Sequence, residues 1–148
     1  MHDVLKNYPI IPVVVIERVE DAVPLAEAMV AGGLPILEVT LRTAAAVEGI
    51  KQIIKHVPQA IVGSGTVCSP QQFALSEDLG CQFIVSPGST EALLKVASAS
   101  SIPYLPGVSS PSELMRGLDA GFDCFKFFPA EAVGGVNLLK SLQGPFAQ

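Results

Sequence analysis

The chain has 148 residues, of which 49% are hydrophobic and 16% charged, with a formal net charge of −5. That balance excludes a disordered chain and supports one domain with a core large enough to bury strands on both faces. Without a basic run, the charge invites neither nucleic acid nor an anionic membrane. No apolar stretch reaches spanning length, because the longest, Ile10 to Ile16, is interrupted by Pro12. Met1-His2-Asp3 opens no secretory-signal pattern.

Taken in chain order, six short runs rich in β-branched or aromatic residues predict strands: Ile10–Ile16, Pro35–Leu41, Ala60–Ser64, Gln82–Ser86, Ile102–Leu105 and Asp123–Phe127. Their starts lie roughly 20–25 residues apart, the spacing of compact strand–helix units. Helices are predicted between them. One covers Asp21 to Ala31. The next is capped by Thr43 and stopped by Pro58, with Val47, Ile50, Ile53, Ile54 and Val57 on one face. Ser69-Pro70-Gln71-Gln72 places a cap, a first-turn proline and a capping-box glutamine in order, and Ser110-Pro111-Ser112-Glu113 repeats the device. Glu91 to Ser100 and Val136 to Leu142 complete the set, and Gly32-Gly33, Gly80 and Gly121 mark helix ends.

Strict alternation of strand and helix implies an α/β fold with a parallel sheet and helices outside. An open doubly wound sheet and a closed barrel both satisfy it. The dinucleotide-binding version of the open sheet is disfavoured, because Glu17-Arg18-Val19-Glu20 follows the first strand where a glycine-rich turn would stand. A complete (β/α)8 barrel has eight units, of which this chain supplies six.

Cys68, Cys81 and Cys124 are odd in number and show no CxxC spacing, so neither a disulfide frame nor a thiolate zinc site is indicated. Two histidines, His2 and His56, are too few for the imidazole cluster of a catalytic zinc site. No metal and no organic cofactor is expected.

Period-two alternation along Pro35–Thr43 puts Leu37, Val39 and Leu41 on one face and Glu38, Thr40 and Arg42 on the other. Burying Glu38 and Arg42 is costly unless they are paired or used. A structural Glu–Arg pair and a catalytic rim both fit. Lys126 stands between phenylalanines in Asp123-Cys124-Phe125-Lys126-Phe127-Phe128-Pro129, on a strand too apolar for a surface element. An imine-forming lysine needs a free amine, which desolvation and a nearby cation such as Arg42 favour. A lysine paired with Glu38, or one on an edge strand reaching water, is the structural alternative. Ser64-Gly65-Thr66, Ser86-Pro87-Gly88 and Pro106-Gly107-Val108-Ser109 end three strands on the side where such folds place ligands.

Leu37-Glu38-Val39-Thr40-Leu41-Arg42-Thr43, Gly63-Ser64-Gly65-Thr66-Val67, Ile84-Val85-Ser86-Pro87-Gly88, Pro106-Gly107-Val108-Ser109 and Phe125-Lys126-Phe127-Phe128-Pro129-Ala130-Glu131 together resemble the 2-keto-3-deoxy-6-phosphogluconate (KDPG) and 4-hydroxy-2-oxoglutarate aldolase family. The resemblance runs in order from about Pro12 to Gln148. It implies a TIM-barrel, class I (Schiff-base) aldolase of the Entner–Doudoroff pathway, a carbon–carbon lyase. Such an enzyme cleaves the phosphorylated keto-deoxy acid to pyruvate and glyceraldehyde 3-phosphate, with 4-hydroxy-2-oxoglutarate as a further substrate of many relatives. By the matching motifs, Lys126 corresponds to the Schiff-base lysine and Glu38 to the acid/base. Arg42, Thr66 and Pro87 correspond to groups that hold the substrate carboxylate. The resemblance further implies a cytoplasmic homotrimer. In the family two more strand–helix units follow Gly144-Pro145-Phe146, closing the barrel and binding the phosphate, so residues 1–148 are expected to form a single barrel domain lacking its last two units.

Overall fold

The computed structural model describes residues 1–146; the expected domain limit at Gln148 lies outside the described residues. The elements alternate as the sequence predicts. They are α1 (His2–Asn7), β1 (Val13–Val14), α2 (Val19–Ala31), β2 (Ile36–Thr40), α3 (Ala46–His56), β3 (Ile61–Gly65), α4 (Pro70–Asp78) and β4 (Phe83–Val85). There follow α5 (Glu91–Ser98), β5 (Tyr104–Leu105), β6 (Gly107–Val108), α6 (Pro111–Asp119), β7 (Lys126–Phe127), a 3-10 turn (Glu131–Val133) and α7 (Gly135–Gln143).

Every strand pair is parallel, in the order β1-β2-β3-β4-β5, with β6 paired to β7. β5 and β6 form one extended run broken at Pro106, whose missing N–H interrupts the ladder. The Pro106 carbonyl still accepts the Lys126 N–H at 2.9 Å, so the pairing passes from β4 across the break to β7. In a flat sheet β2 and β7, four pairings apart, would stand about 19 Å from each other. Instead Lys126 Nζ on β7 lies 3.2 Å from Glu38 Oε1 on β2. The sheet therefore curls, with both side chains on its concave face.

The core lies in layers. Leu37, Val39 and Val62 pack outward against Ala22, Ala26, Ile50 and Ile53 of α2 and α3. Val67, Phe73, Leu93, Leu94 and Tyr104 form a second cluster beneath α4 and α5, with Tyr104 edge-on to Phe73 at 5.6 Å between ring centroids. Inside the curl, at the amino-terminal ends of the strands, Ile36, Phe83, Val85, Leu105 and Cys124 are covered by Met1, Val4, Leu5 and Tyr8. The helix supplying Val4 and Leu5 to that cover, α1, is absent from the sequence expectation. Its six residues are too few to show a helical period, and tertiary packing stabilises it.

Other differences are local. Ile10–Ile16 pairs only at Val13–Val14, because Pro12 has no amide hydrogen, although its carbonyl accepts Glu38 N–H at 2.9 Å. Thr43 does not cap α3, which starts at Ala46; its hydroxyl instead donates to the Ile16 carbonyl and ties the end of β2 to β1. Ser69 and Ser110 do cap α4 and α6, accepting from Gln72 N–H at 3.2 Å and Glu113 N–H at 3.4 Å. The reciprocal bonds reach one residue further out: Gln72 accepts from Cys68 N–H and Glu113 from Ser109 N–H. Gly33, Gly80 and Gly121 have φ of 83°, 80° and 90° just beyond α2, α4 and α6, the left-handed stop that glycine permits.

Candidate active site

Period two along β2 dictates which side chains enter the curl. Leu37 and Val39 face α2 and α3, and Glu38 and Thr40 face inward, both almost fully buried. The Thr40 hydroxyl donates to the Val14 carbonyl at 3.1 Å and accepts from Arg42 Nε at 3.1 Å, so β1 steadies the threonine and the threonine steadies the guanidinium. Arg42 makes no ion pair among the described residues. The structural Glu–Arg pair left open by the sequence is therefore not formed.

The same alternation governs β7. Phe125 packs outward so closely over α6 that a Cβ on Gly117 would stand 2.2 Å from its ring. Phe127 points to Leu139 and Leu142 of α7. Lys126 turns inward, its ammonium 3.2 and 3.4 Å from the two Glu38 oxygens and 5.3 Å from the centroid of the Phe128 ring. Glu38 retains 6% of its side-chain exposure and Lys126 24%. The carboxylate is thus sequestered while the amine faces open space.

That space is a cavity of about 280 Å³ at the carboxyl ends of the strands, lined by Val13, Glu38, Thr40, Arg42, Thr66, Pro87, Lys126 and Phe128. The structure brings together all five residues singled out by sequence, Lys126, Glu38, Arg42, Thr66 and Pro87. Thr66 has φ of 59°, a left-handed backbone unusual for a β-branched residue and one that aims the end of β3 into the cavity. Pro87 backs onto Gly107, where a Cβ would meet its carbonyl at 2.3 Å. Beneath it the Ser86 hydroxyl pairs with the Tyr104 hydroxyl at 2.6 Å and accepts Gly107 N–H at 3.3 Å. Burial pushes the Tyr104 hydroxyl above its ordinary range.

Sequence reasoning gives Val13 and Phe128 no part of their own in the site and places Gly65 only in the turn that ends β3. Phe128 follows from Lys126 by period two. Gly65 carries no side-chain signal; its part is the space it leaves, since a Cβ there would stand 2.3 Å from Glu38 Oε1. Cys81 lies on none of these walls, and burial raises its thiol to about 11, leaving it unreactive.

A larger cavity, about 440 Å³, opens at the other end of the strands beside Met1, Ile102, Tyr104, Asp123 and Cys124. It is lined by no lysine and no buried carboxylate, so size does not mark the chemistry here.

A parallel α/β sheet presenting a lysine beside a sequestered carboxylate at its carboxyl end has the groups that class I, Schiff-base aldolase chemistry requires. Comparison with known proteins makes the assignment specific: the family model for KDPG and KHG aldolases matches residues 1–148, and the chain belongs to that family. The KHG/KDPG aldolase of Escherichia coli K12 is 55% identical over 145 residues, 98% of this chain and 68% of that protein. The KDPG aldolase of Zymomonas mobilis ATCC 29191 superposes with a TM-score of 0.95 at 51% identity, over 99% of this chain and 71% of the other. The enzyme of Legionella pneumophila, captured with pyruvate as a covalent carbinolamine, superposes with a TM-score of 0.92 at 50% identity, over 95% of this chain and 68% of the other.

Proposed function

We propose that this chain cleaves 2-keto-3-deoxy-6-phosphogluconate to pyruvate and glyceraldehyde 3-phosphate, and also acts on 4-hydroxy-2-oxoglutarate, with Lys126 as nucleophile and Glu38 as acid/base. The observation that carries the reading is the Lys126–Glu38 contact of 3.2 Å inside a cavity that Arg42, Thr66 and Pro87 also line. An ion pair buried only for stability would not need an open approach on the amine side.

The contact gives the lysine proton somewhere to go. Transfer from Lys126 to Glu38 frees the amine, which attacks the C2 ketone. Glu38 then returns the proton to the carbinolamine oxygen, and water leaves a protonated imine. That imine is the electron sink for cleavage of C3–C4, while Glu38, directly or through water, takes the proton of the C4 hydroxyl as the aldehyde departs. Protonation and hydrolysis of the enamine release pyruvate. No metal or organic cofactor enters these steps, because the iminium performs the polarisation a Lewis acid would supply. Arg42 holds the C1 carboxylate through a charge-assisted pair of bonds, with Thr66 as second donor and Pro87 shaping the wall.

The same reading extends to architecture. Residues 1–148 supply six strand–helix units of a single (β/α)8-barrel domain. The last two units of the family close the cylinder and bind the phosphate, and the assembly is a cytoplasmic homotrimer. The curl of the sheet and the lengths of the relatives support the barrel part of this reading. Among the described residues no helix is long and apolar enough to cross a membrane.

Borohydride reduction in the presence of pyruvate tests the chemistry. A single adduct at Lys126, located by mass spectrometry and lost in Lys126→Ala, is the expected result. A folded chain that stays unmodified overturns the assignment and favours an isomerase or epimerase that uses no imine.

A further inference from the structure

At the amino-terminal ends of the strands, remote from the cavity of Lys126, three side chains with metal-ligating atoms converge. His2 Nε2 lies 3.1 Å from Asp123 Oδ2. Cys124 Sγ lies 3.4 Å from each nitrogen of the same imidazole. All three ligating atoms fall within 4.8 Å of one another. In a tetrahedral zinc site the N···O edge is about 3.4 Å and the N···S edge about 3.6 Å, from bonds of about 2.0–2.1 Å to nitrogen and oxygen and about 2.3 Å to sulfur. The Nε2···Oδ2 and Nε2···Sγ separations approach these edges, and a turn of the imidazole that carries Nδ1 away from the sulfur lets Nε2 and the thiolate share one centre.

The His2–Asp123 contact is an ordinary ion pair, but hydrogen bonding does not place the sulfur. A sulfur equidistant from both ring nitrogens is aligned with neither lone pair. The imidazole is mostly exposed and free to turn one nitrogen toward a shared centre, whereas Cys124 is fixed, buried in the layer beneath α1. Asp123 and Cys124 also line the 440 Å³ cavity, which leaves room for a water as fourth ligand.

We propose that His2, Asp123 and Cys124 form a binding site for a borderline divalent transition ion of the zinc(II) class. Nitrogen, oxygen and thiolate donors together suit zinc and its neighbours and discriminate against magnesium or calcium, which take oxygen ligands. The ion ties α1 to the segment entering β7, two parts of the chain far apart in sequence. It takes no part in the aldol chemistry, which lies at the other end of the strands.

The test uses the full chain in a Cys68→Ser background, which removes the exposed thiol. After chelator treatment the protein is dialysed against zinc(II) alone and, separately, titrated with cobalt(II). Binding of about one equivalent is expected, with a thiolate-to-cobalt charge-transfer band in the near ultraviolet. His2→Ala, Asp123→Asn and Cys124→Ser should each weaken binding at least tenfold. His2 and Asp123 are exposed, so their variants keep the fold even if the cysteine variant is impaired. Cobalt bound without the charge-transfer band, or zinc affinity unchanged in His2→Ala and Asp123→Asn, overturns the proposal.

Discussion

Gly65 and Glu38 occupy adjoining volumes so tightly that a methyl group on the first would stand 2.3 Å from a carboxylate oxygen of the second. One must move if Gly65 becomes alanine, and the Glu38 side chain is the freer of the two. Its displacement draws the carboxylate away from Lys126. Gly65→Ala is expected to lower turnover about 100-fold, measured by pyruvate release, because small misplacements of a proton-transfer group cost factors of that size. Wild-type turnover in this variant would show that the carboxylate position is unimportant.

Glu38→Gln keeps the shape of the side chain and removes its proton-transfer capacity. Turnover should fall about 10²–10⁴-fold, the usual contribution of a positioned acid/base. Borohydride trapping of pyruvate should persist at a reduced rate, since Lys126 is still present. Comparing the trapping rate with the steady-state rate separates the two effects.

Ser69 caps α4 with its hydroxyl on Gln72 N–H. Ser69→Ala leaves that donor without its partner and should lower stability by about 1 kcal/mol in a denaturant titration. The catalytic cavity does not include Ser69, so trapping at Lys126 should continue unchanged.

Glu113 provides the acid dependence. Its carboxylate accepts from the Ser109 N–H, which holds its pKa below the ordinary carboxylate value; burial opposes this as the next largest effect, and the Ser109 and Ser110 hydroxyls add to the lowering. A folded-state pKa lowered in this way gives stability that is complete above the unfolded pKa. It is lost as pH falls through the folded one. Melting temperature should therefore decline below about pH 5, and the decline should be shallower in Glu113→Gln. Equal slopes would remove Glu113 from the acid response.

Much of this molecule is legible in the sequence because its signals are local and repeated. Proline at the first turn after Ser69 and Ser110, glycine at the helix ends and β-branched runs between them mark the units without any knowledge of packing. Glu38 and Lys126 stand out for the same reason: each is a charge in a run whose neighbours are apolar. Thr43 misled because a threonine ahead of a helical stretch is a good cap only if no carbonyl competes, and the Ile16 carbonyl does. The helix α1 could not be read, since what holds it is the underside of the sheet rather than its own periodicity. Gly65 is legible only as part of a strand-ending turn, because the space it reserves for Glu38 leaves no mark in composition or spacing.

Pro106 has no amide hydrogen to give, yet its carbonyl grips the backbone of Lys126. The strand containing it meets one neighbour before this residue and the other after it. The direction in which β7 departs is thereby set by an imino acid that does not line the cavity of Lys126 and Glu38. The reach from Lys126 to Glu38 becomes a matter of angle at this corner, so drift at residue 106 would change it without altering either side chain.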